Sequence, residues 1–184
     1  MNDTHTVSDP YSNRRARKYT KRELLLRVLW SSVRPVLFAL SPRPAFGFRN
    51  FLLRLFGAKI GDAVHIYPST HIYYPWNLVI GKGSSVGESA LIYNLGPVAI
   101  GERVTISQRA HLCGGSHDYR QTDMPLLKLP IRIDDDVWVC ADAFIGPNVT
   151  LRKGCIIGAA SVIIKDCEAN KIYAGNPALP VKNR

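Results

Sequence analysis

The residues of this chain best suited to moving protons near neutral pH are its five histidines, and four of them recur in register. An imidazole ordinarily titrates near 6.5, so it can take a proton from a hydroxyl and give it up again. His65, His71, His111 and His117 all occupy the last place of a six-residue unit, a place that faces outward, so register alone selects none of them. His117 differs in context. It follows Cys113-Gly114-Gly115-Ser116 and opens into the longest irregular segment of the chain. A histidine base needs an orienting partner on its second ring nitrogen. Asp118 is adjacent, Glu88 lies at the matching part of an earlier unit, and a backbone carbonyl would serve as well. Cys113, Cys140, Cys155 and Cys167 show no Cys-x-x-Cys spacing, which points to reduced core thiols rather than disulfides.

The elements that carry these side chains repeat every six residues. From Ile133 an aliphatic residue returns at Val139, Ile145, Leu151, Ile157 and Ile163, and four places after each stands a small one: Val137, Ala143, Val149, Cys155, Ser161 and Cys167. Neither a helix nor an ordinary strand has that period, whereas the stacked short strands of a β-helix do. The register extends back through Ile60, Ile66, Ile72, then Ile80, Val86, Ile92, then Ile100, Ile106, Leu112. Grouped in threes, the hexads predict five triangular coils, with the aliphatic residues pointing inward and the small ones at tight inner corners. Two extra residues separate Ile72 from Ile80 and two more separate Ile92 from Ile100, both at one corner. Between Leu112 and Ile133 the excess is fifteen residues, which predicts a loop leaving the prism over 117–132. A loop of that length in a compact domain is usually functional.

Units such as Ile-Gly-Glu-Arg-Val-Thr from Ile100 and Ile-Gly-Ala-Ala-Ser-Val from Ile157 resemble those of the hexapeptide-repeat acyltransferases. Tyr67-Pro68-Ser69, Ile92-Tyr93-Asn94-Leu95, Ser116-His117-Asp118-Tyr119 and Ala174-Gly175-Asn176-Pro177-Ala178 are most similar to the colanic-acid-type sugar O-acetyltransferases of that family. The resemblance runs from about Leu24 to the C-terminus. It implies a left-handed parallel β-helix, a homotrimer, and transfer of an acetyl or other acyl group from acetyl coenzyme A to a hydroxyl of a saccharide or lipid-linked saccharide in polysaccharide biosynthesis, without a metal. It also implies His117 as the general base. The acceptor side would then draw on Glu88, Asn94, Asp118, Tyr119 and Trp138, the two aromatics offering flat faces to a pyranose, while backbone N–H groups near Cys140 and Ala141 would hold the oxyanion. The coenzyme arm would pass the small residues Ala141, Gly146, Ala159 and Ser161. Its nucleotide end would meet Lys165, Asn176, Pro177, Ala178 and Lys182, with lysine as a compact phosphate partner. Two other readings stand beside this one. A zinc-dependent lyase of carbonic-anhydrase type shares the fold, and His-x-Cys-x-x-x-His from His111 to His117 invites the comparison, but the ligand spacing of those enzymes is not reproduced. A non-catalytic β-helix scaffold would need neither His117 at a loop mouth nor the Gly-Asn-Pro-Ala ending.

Of the formal net charge of +10, residues 1–60 hold twelve Lys or Arg against Asp3, Asp9 and Glu23, so the β-helix is nearly neutral. With the charge confined to a leader and no reading module, nucleic acid is not an expected partner. Residues 1–20 have no apolar period and are expected to form a disordered basic leader. Residues 21–58 predict two amphipathic helices, near 22–40 and 46–56, ahead of a β-helix domain over 59–184. The first puts Leu24, Leu25, Val28, Leu29, Val33, Val36, Leu37 and Leu40 on one face, against Arg27, Ser31 and Arg34 on the other. It is too short to span a bilayer and is interrupted by Pro35. The second puts Phe48, Phe51, Leu52, Leu55 and Phe56 opposite Arg49 and Arg54. Both suit a cap on the open end of the β-helix, or peripheral contact with an anionic membrane. No signal-peptide pattern opens the chain, so a cytoplasmic location, at the inner face of the membrane, is expected.

Overall fold

A six-residue period returns on itself only if every third unit stacks over the one below, and the chain does this five times. In the computed structural model, which describes residues 15, 16 and 18–184, three parallel sheets form the faces of a triangular prism. The first face holds β1 (Lys59–Ile60), β4 (Leu78–Ile80), β7 (Val98–Ile100), β12 (Ile131–Ile133) and β15 (Val149–Leu151). The second holds β2 (His65–Ile66), β5 (Ser85–Val86), β8 (Thr105–Ile106), β13 (Trp138–Val139) and β16 (Ile156–Ile157), extended by β18 (Lys171–Gly175) and β19 (Ala178–Asn183). The third holds β3 (His71–Ile72), β6 (Leu91–Tyr93), β9 (His111–Cys113), β14 (Phe144–Ile145) and β17 (Val162–Ile163). The expected fold class, a left-handed parallel β-helix of about five triangular coils with helices before it and one long protrusion, is the one adopted; Cys167, bridged to Leu151, begins a partial sixth turn.

Register is set by burial. Ile60, Ile80, Ile100, Ile133 and Leu151 align across the first face, and a slip of one residue would turn every one of them to solvent. All are buried, as are the small corner residues Val137, Ala143, Val149, Cys155, Ser161 and Cys167. Each buried aliphatic side chain contributes about 1.5–3 kcal/mol. Corners between the second and third faces turn through left-handed residues, Ser89, Arg109, Asp142 and Ala160. The extra residues all leave at the corner between the third and first faces, as the spacing predicts.

Two helices close the N-terminal end: α1 (Lys21–Val33), continued by a π turn over Arg34–Phe38, and α2 (Phe46–Leu55). Thr20 and Glu23 form a reciprocal capping box at the start of α1. Pro35 does not break the helix. The wider turn absorbs its missing N–H, with the Ala39 N–H donating five residues back to the Arg34 carbonyl at 2.9 Å. The orientation of both helices corrects the sequence reading. The coils donate N–H groups upward, as in His65 to Ser84 and Ser85 to Val104, so the first coil is left with carbonyls facing its open end. The cap must therefore present donors. Trp30 Nε1 donates to the Ile72 carbonyl at 2.8 Å, Arg49 Nε to Ile66 at 2.6 Å, Asn50 Nδ2 to Val64 at 2.8 Å and Arg54 Nη2 to Ile60 at 2.8 Å. Trp30, Phe38, Leu52 and Leu53 pack beside these bonds, while Leu24, Leu25, Val28, Leu29, Val36, Leu37, Leu40, Phe48, Phe51 and Leu55 stay exposed on the outer side. The leader expected over residues 1–20 lies largely outside the described residues. Among the described residues no helix is long and apolar enough to cross a membrane.

Candidate active site

The protrusion between β9 and β12 is an antiparallel hairpin, β10 (Gly115–His117) and β11 (Leu126–Lys128), with Gly115 opposite Lys128 and His117 opposite Leu126. It leaves the prism earlier than the spacing suggests, at Gly114, and rejoins it at Ile131. The early exit needs glycine: a Cβ on Gly115 would sit 2.5 Å from Leu95 Cδ1 and 2.8 Å from Tyr93 Cε1, and one on Gly114 would sit 3.0 Å from the Leu129 carbonyl oxygen. His117 is thereby lifted out of the hexad register that its spacing suggested and stands exposed on the hairpin.

Its Nδ1 lies 2.6 Å from the Met124 carbonyl oxygen. A carbonyl can only accept, so Nδ1 carries the proton and Nε2 presents a lone pair. Of the three orienters open to the sequence, the backbone carbonyl is the one in place. Asp118 is turned into its own loop, accepting from Gln121 Nε2 at 3.0 Å and from the Arg120 N–H at 3.1 Å, bonds that hold its carboxyl below the usual range. Glu88 sits at the corner between the second and third faces and pairs with Arg43 at 3.6 Å. Met124 left no trace in the sequence, because a main-chain carbonyl has no residue signature. Lys128 was also missed. It ties the hairpin to the helical cap through the Lys18 carbonyl at 2.9 Å and Glu23 at 3.8 Å.

The acceptor candidates separate. Tyr119 is on the hairpin and 81% exposed. Asn94 is a correction: it is fully buried, its Oδ1 accepting from the Tyr74 N–H at 3.0 Å and its Nδ2 donating to the Tyr74 carbonyl at 2.6 Å, so its amide is spent inside the chain. Trp138 lies on the second face, 46% exposed, donating Nε1 to Ser107 Oγ at 3.0 Å, while within one copy the hairpin rises from the opposite corner. Of the backbone donors considered for an oxyanion, the Cys140 N–H is committed to the Ile157 carbonyl at 2.9 Å, leaving Ala141 of that pair.

The small residues do gather, in part. Ala141 and Ala159 turn successive coils at the corner between the second and third faces, where the Ala160 N–H donates to the Ala141 carbonyl at 2.9 Å. Ser161 is buried there and accepts from the Gly175 N–H at 3.2 Å, which sets the β18–β19 turn of Asn176, Pro177 and Ala178 above them. Gly146 and Lys165 lie instead toward the hairpin's corner. A cavity of about 310 Å³ brings Lys165 together with Pro177 and Ala178. Lys182 lies on β19, opposite Ile172. Among the described residues no three His, Cys, Asp or Glu side chains converge as metal ligands. The His111–His117 spacing does not make a ligand pair, since His111 Nε2 is buried on the third face beside Phe144.

No known family profile matches the chain. It is 42% identical over 156 residues to the putative colanic acid biosynthesis acetyltransferase of Escherichia coli K12, covering 85% of this chain and 86% of that one. To the galactoside O-acetyltransferase of the same organism it is 26% identical over 137 residues, 73% of this chain and 68% of that one. Among solved structures it superposes on a hexapeptide-repeat acetyltransferase of Vibrio cholerae complexed with acetyl coenzyme A, with TM-score 0.82, 22% identity and 94% of each chain covered. A galactoside acetyltransferase in complex with coenzyme A gives TM-score 0.81 at 23% identity over 89% of this chain and 83% of that one. At such identities the two superpositions speak for the fold.

Proposed function

The chain belongs to the hexapeptide-repeat acetyltransferases, and from that premise we propose that it carries an acetyl group from acetyl coenzyme A to a hydroxyl of a saccharide or lipid-linked saccharide in polysaccharide biosynthesis. The observation that carries this reading is the contact of His117 Nδ1 with the Met124 carbonyl at 2.6 Å, which leaves Nε2 as a base on an exposed hairpin. Nε2 accepts the hydroxyl proton as the acceptor oxygen bonds to the thioester carbon. Charge that collects on the former carbonyl oxygen is met by a backbone N–H, with Ala141 as the candidate. As the carbon–sulfur bond breaks, the imidazolium returns its proton to the departing thiolate, and no covalent acyl-enzyme is formed.

In one copy, the hairpin and the corner of Ala141, Ala159, Ser161 and Asn176–Ala178 stand a full face apart. The site is therefore read as completed across a contact between copies, in a homotrimer with three-fold symmetry. The exposed leucine and phenylalanine face of the cap suits peripheral contact with an anionic membrane from the cytoplasmic side, where a lipid-linked acceptor would be met. The test is to incubate the full chain with acetyl coenzyme A and a panel of free and lipid-linked saccharides. Thiol release that depends on the acceptor, with an equal amount of saccharide heavier by one acetyl group, is the expected outcome. Thiol release that no saccharide accelerates would overturn the reading.

A further inference from the structure

A cavity of about 260 Å³ lies between α1 and the first coil, lined by Arg27, Trp30, Ser31, Arg34, His71 and Tyr73 among others, and among the described residues no carboxylate lines it. That volume is just below the usual range for sites of drug-sized ligands and suits a headgroup rather than a whole molecule. Arg27 and Ser31 of α1 and Arg34, which opens the π turn, follow one another at helical spacing on the side that lines the cavity. The two guanidinium groups are thus rooted about 10 Å apart along the axis, able to bracket a doubly charged group from both ends. Among the described residues neither is paired with a carboxylate; Arg27 lies over the rings of Tyr19 at 4.1 Å and Tyr74 at 5.5 Å. Trp30 fixes the floor through its bond to the Ile72 carbonyl. On the third face His71 stacks on Tyr73 with ring centroids 4.5 Å apart, and its protonation is opposed by burial and then by the charge of Arg34, a repulsion that an anion seated between the two guanidinium groups would offset.

Its neighbours say where such an anion would come from. The outer side of the same helix exposes Leu24, Leu25 and Val28. On the other side, Tyr19 is shared: Arg27 and the hairpin's Lys128 both lie over its ring, the latter at 4.3 Å. Tyr73 also meets Tyr93 edge-on with centroids 4.8 Å apart, and Tyr93 lies beneath Gly115 at the hairpin base. The cavity is therefore one ring away from the element that carries His117 and one helix width away from an exposed apolar surface.

We infer that this cavity binds the diphosphate of a lipid-linked saccharide, so that the lipid lies along the exposed face of α1 and the sugar is held toward the hairpin. The inference rests on the saccharide-acetyltransferase reading for the identity of the ligand, but its test does not use acetyl transfer. Calorimetry with inorganic pyrophosphate reads the site directly, and co-flotation with phosphatidylcholine vesicles containing a few mole per cent of an isoprenyl diphosphate reads the lipid source. The full chain should bind pyrophosphate, and R27Q/R34Q should bind it about tenfold or more weakly, given what charge-assisted hydrogen bonds contribute, with unchanged circular dichroism. R132Q, on the first face away from the cavity, should bind like the parent. The isoprenyl diphosphate should raise flotation of the parent above that with plain phosphatidylcholine, and R27Q/R34Q should lose the increment. Equal pyrophosphate binding by parent and R27Q/R34Q would overturn the site. Pyrophosphate binding without any increment from the isoprenyl diphosphate would overturn the lipid source. Either failure leaves acetyl transfer to a free saccharide standing, and loss of that transfer leaves the pyrophosphate result standing.

Discussion

His117 is distinguished by one main-chain atom. The other outward histidines have ring surroundings that suit packing: His65 stacks on Phe46 at 4.4 Å, His71 on Tyr73, and His111 meets Phe144 edge-on. Among the described residues it is the Met124 carbonyl that gives His117 a defined tautomer, and no sequence pattern could announce it. The run Cys113-Gly114-Gly115-Ser116 set His117 apart in the sequence, but the spacing put the exit at His117 itself; the chain leaves at Gly114, and the close approaches a Cβ would make at Gly114 and Gly115 give the physical reason. The thiols were legible too, since Cys155 and Cys167 stand at small-corner positions. All four cysteines are free. Burial first, then the charge of Asp134, pushes Cys155 up to about 12; burial first, then Cys155, pushes Cys167 up to about 12. In the unfolded chain both ionise near the ordinary value of 9.0, so the stability they protect is complete below that pH and is lost as pH rises toward 12. Urea unfolding should show stability falling by up to about 1.4 kcal/mol per pH unit for each thiol above pH ~9. The C155A/C167A variant should show a shallower slope, and an unchanged slope would contradict the burial argument.

At the scale of elements, the hexads announced all three faces because a period of six leaves no other way to bury one aliphatic residue per unit. The helices were legible as helices but not in their orientation. Amphipathicity reports which face is apolar; it does not report that the partner end is lined with unpaired carbonyls, which call for donors rather than leucines. Arg49 is the clearest case. It is fully buried and donates to the Ile66, Pro42 and Arg43 carbonyls and to Ser41 Oγ. Burial also lowers its pKa. Arg49→Ala should destabilise the fold by about 3 kcal/mol or more, since the buried Ile66 carbonyl and three part-buried acceptors lose their donor at once and a fully buried side chain is removed. Exposed Arg152→Ala should cost under about 0.5 kcal/mol. Equal losses in thermal or urea unfolding would contradict the capping role. Asn94 teaches the same lesson: a polar residue beside a loop looked available from the sequence, and the fold spends it on the Tyr74 backbone.

At the scale of the molecule, charge and apolar surface are segregated. Basic residues gather before residue 60, and the exposed leucines and phenylalanines gather on the outside of the two helices at the same end. If that end meets anionic lipid, flotation with phosphatidylglycerol vesicles should weaken as salt shortens the Debye length toward a few ångström. L25E/V28E, which alters only the exposed face, should float less at every salt concentration. Salt-independent flotation, or equal flotation of parent and variant, would contradict the membrane reading. The corner of small residues and the hairpin lie on opposite sides of one face, a separation that sequence spacing gave no means to see because it concerns which coil corner each residue reaches. A sedimentation result of three chains is expected, and monomer alone would leave the two halves of the site unjoined.

Whether His117 is the base of acetyl transfer is tested most directly by steady-state kinetics of His117→Ala with acetyl coenzyme A and a saccharide acceptor identified by thiol release. Loss of a general base costs a factor of about 10²–10⁴, so turnover should fall by that order while the coenzyme's binding constant stays within about twofold, and His65→Ala should turn over like the parent. A His117→Ala variant as active as the parent would contradict the account.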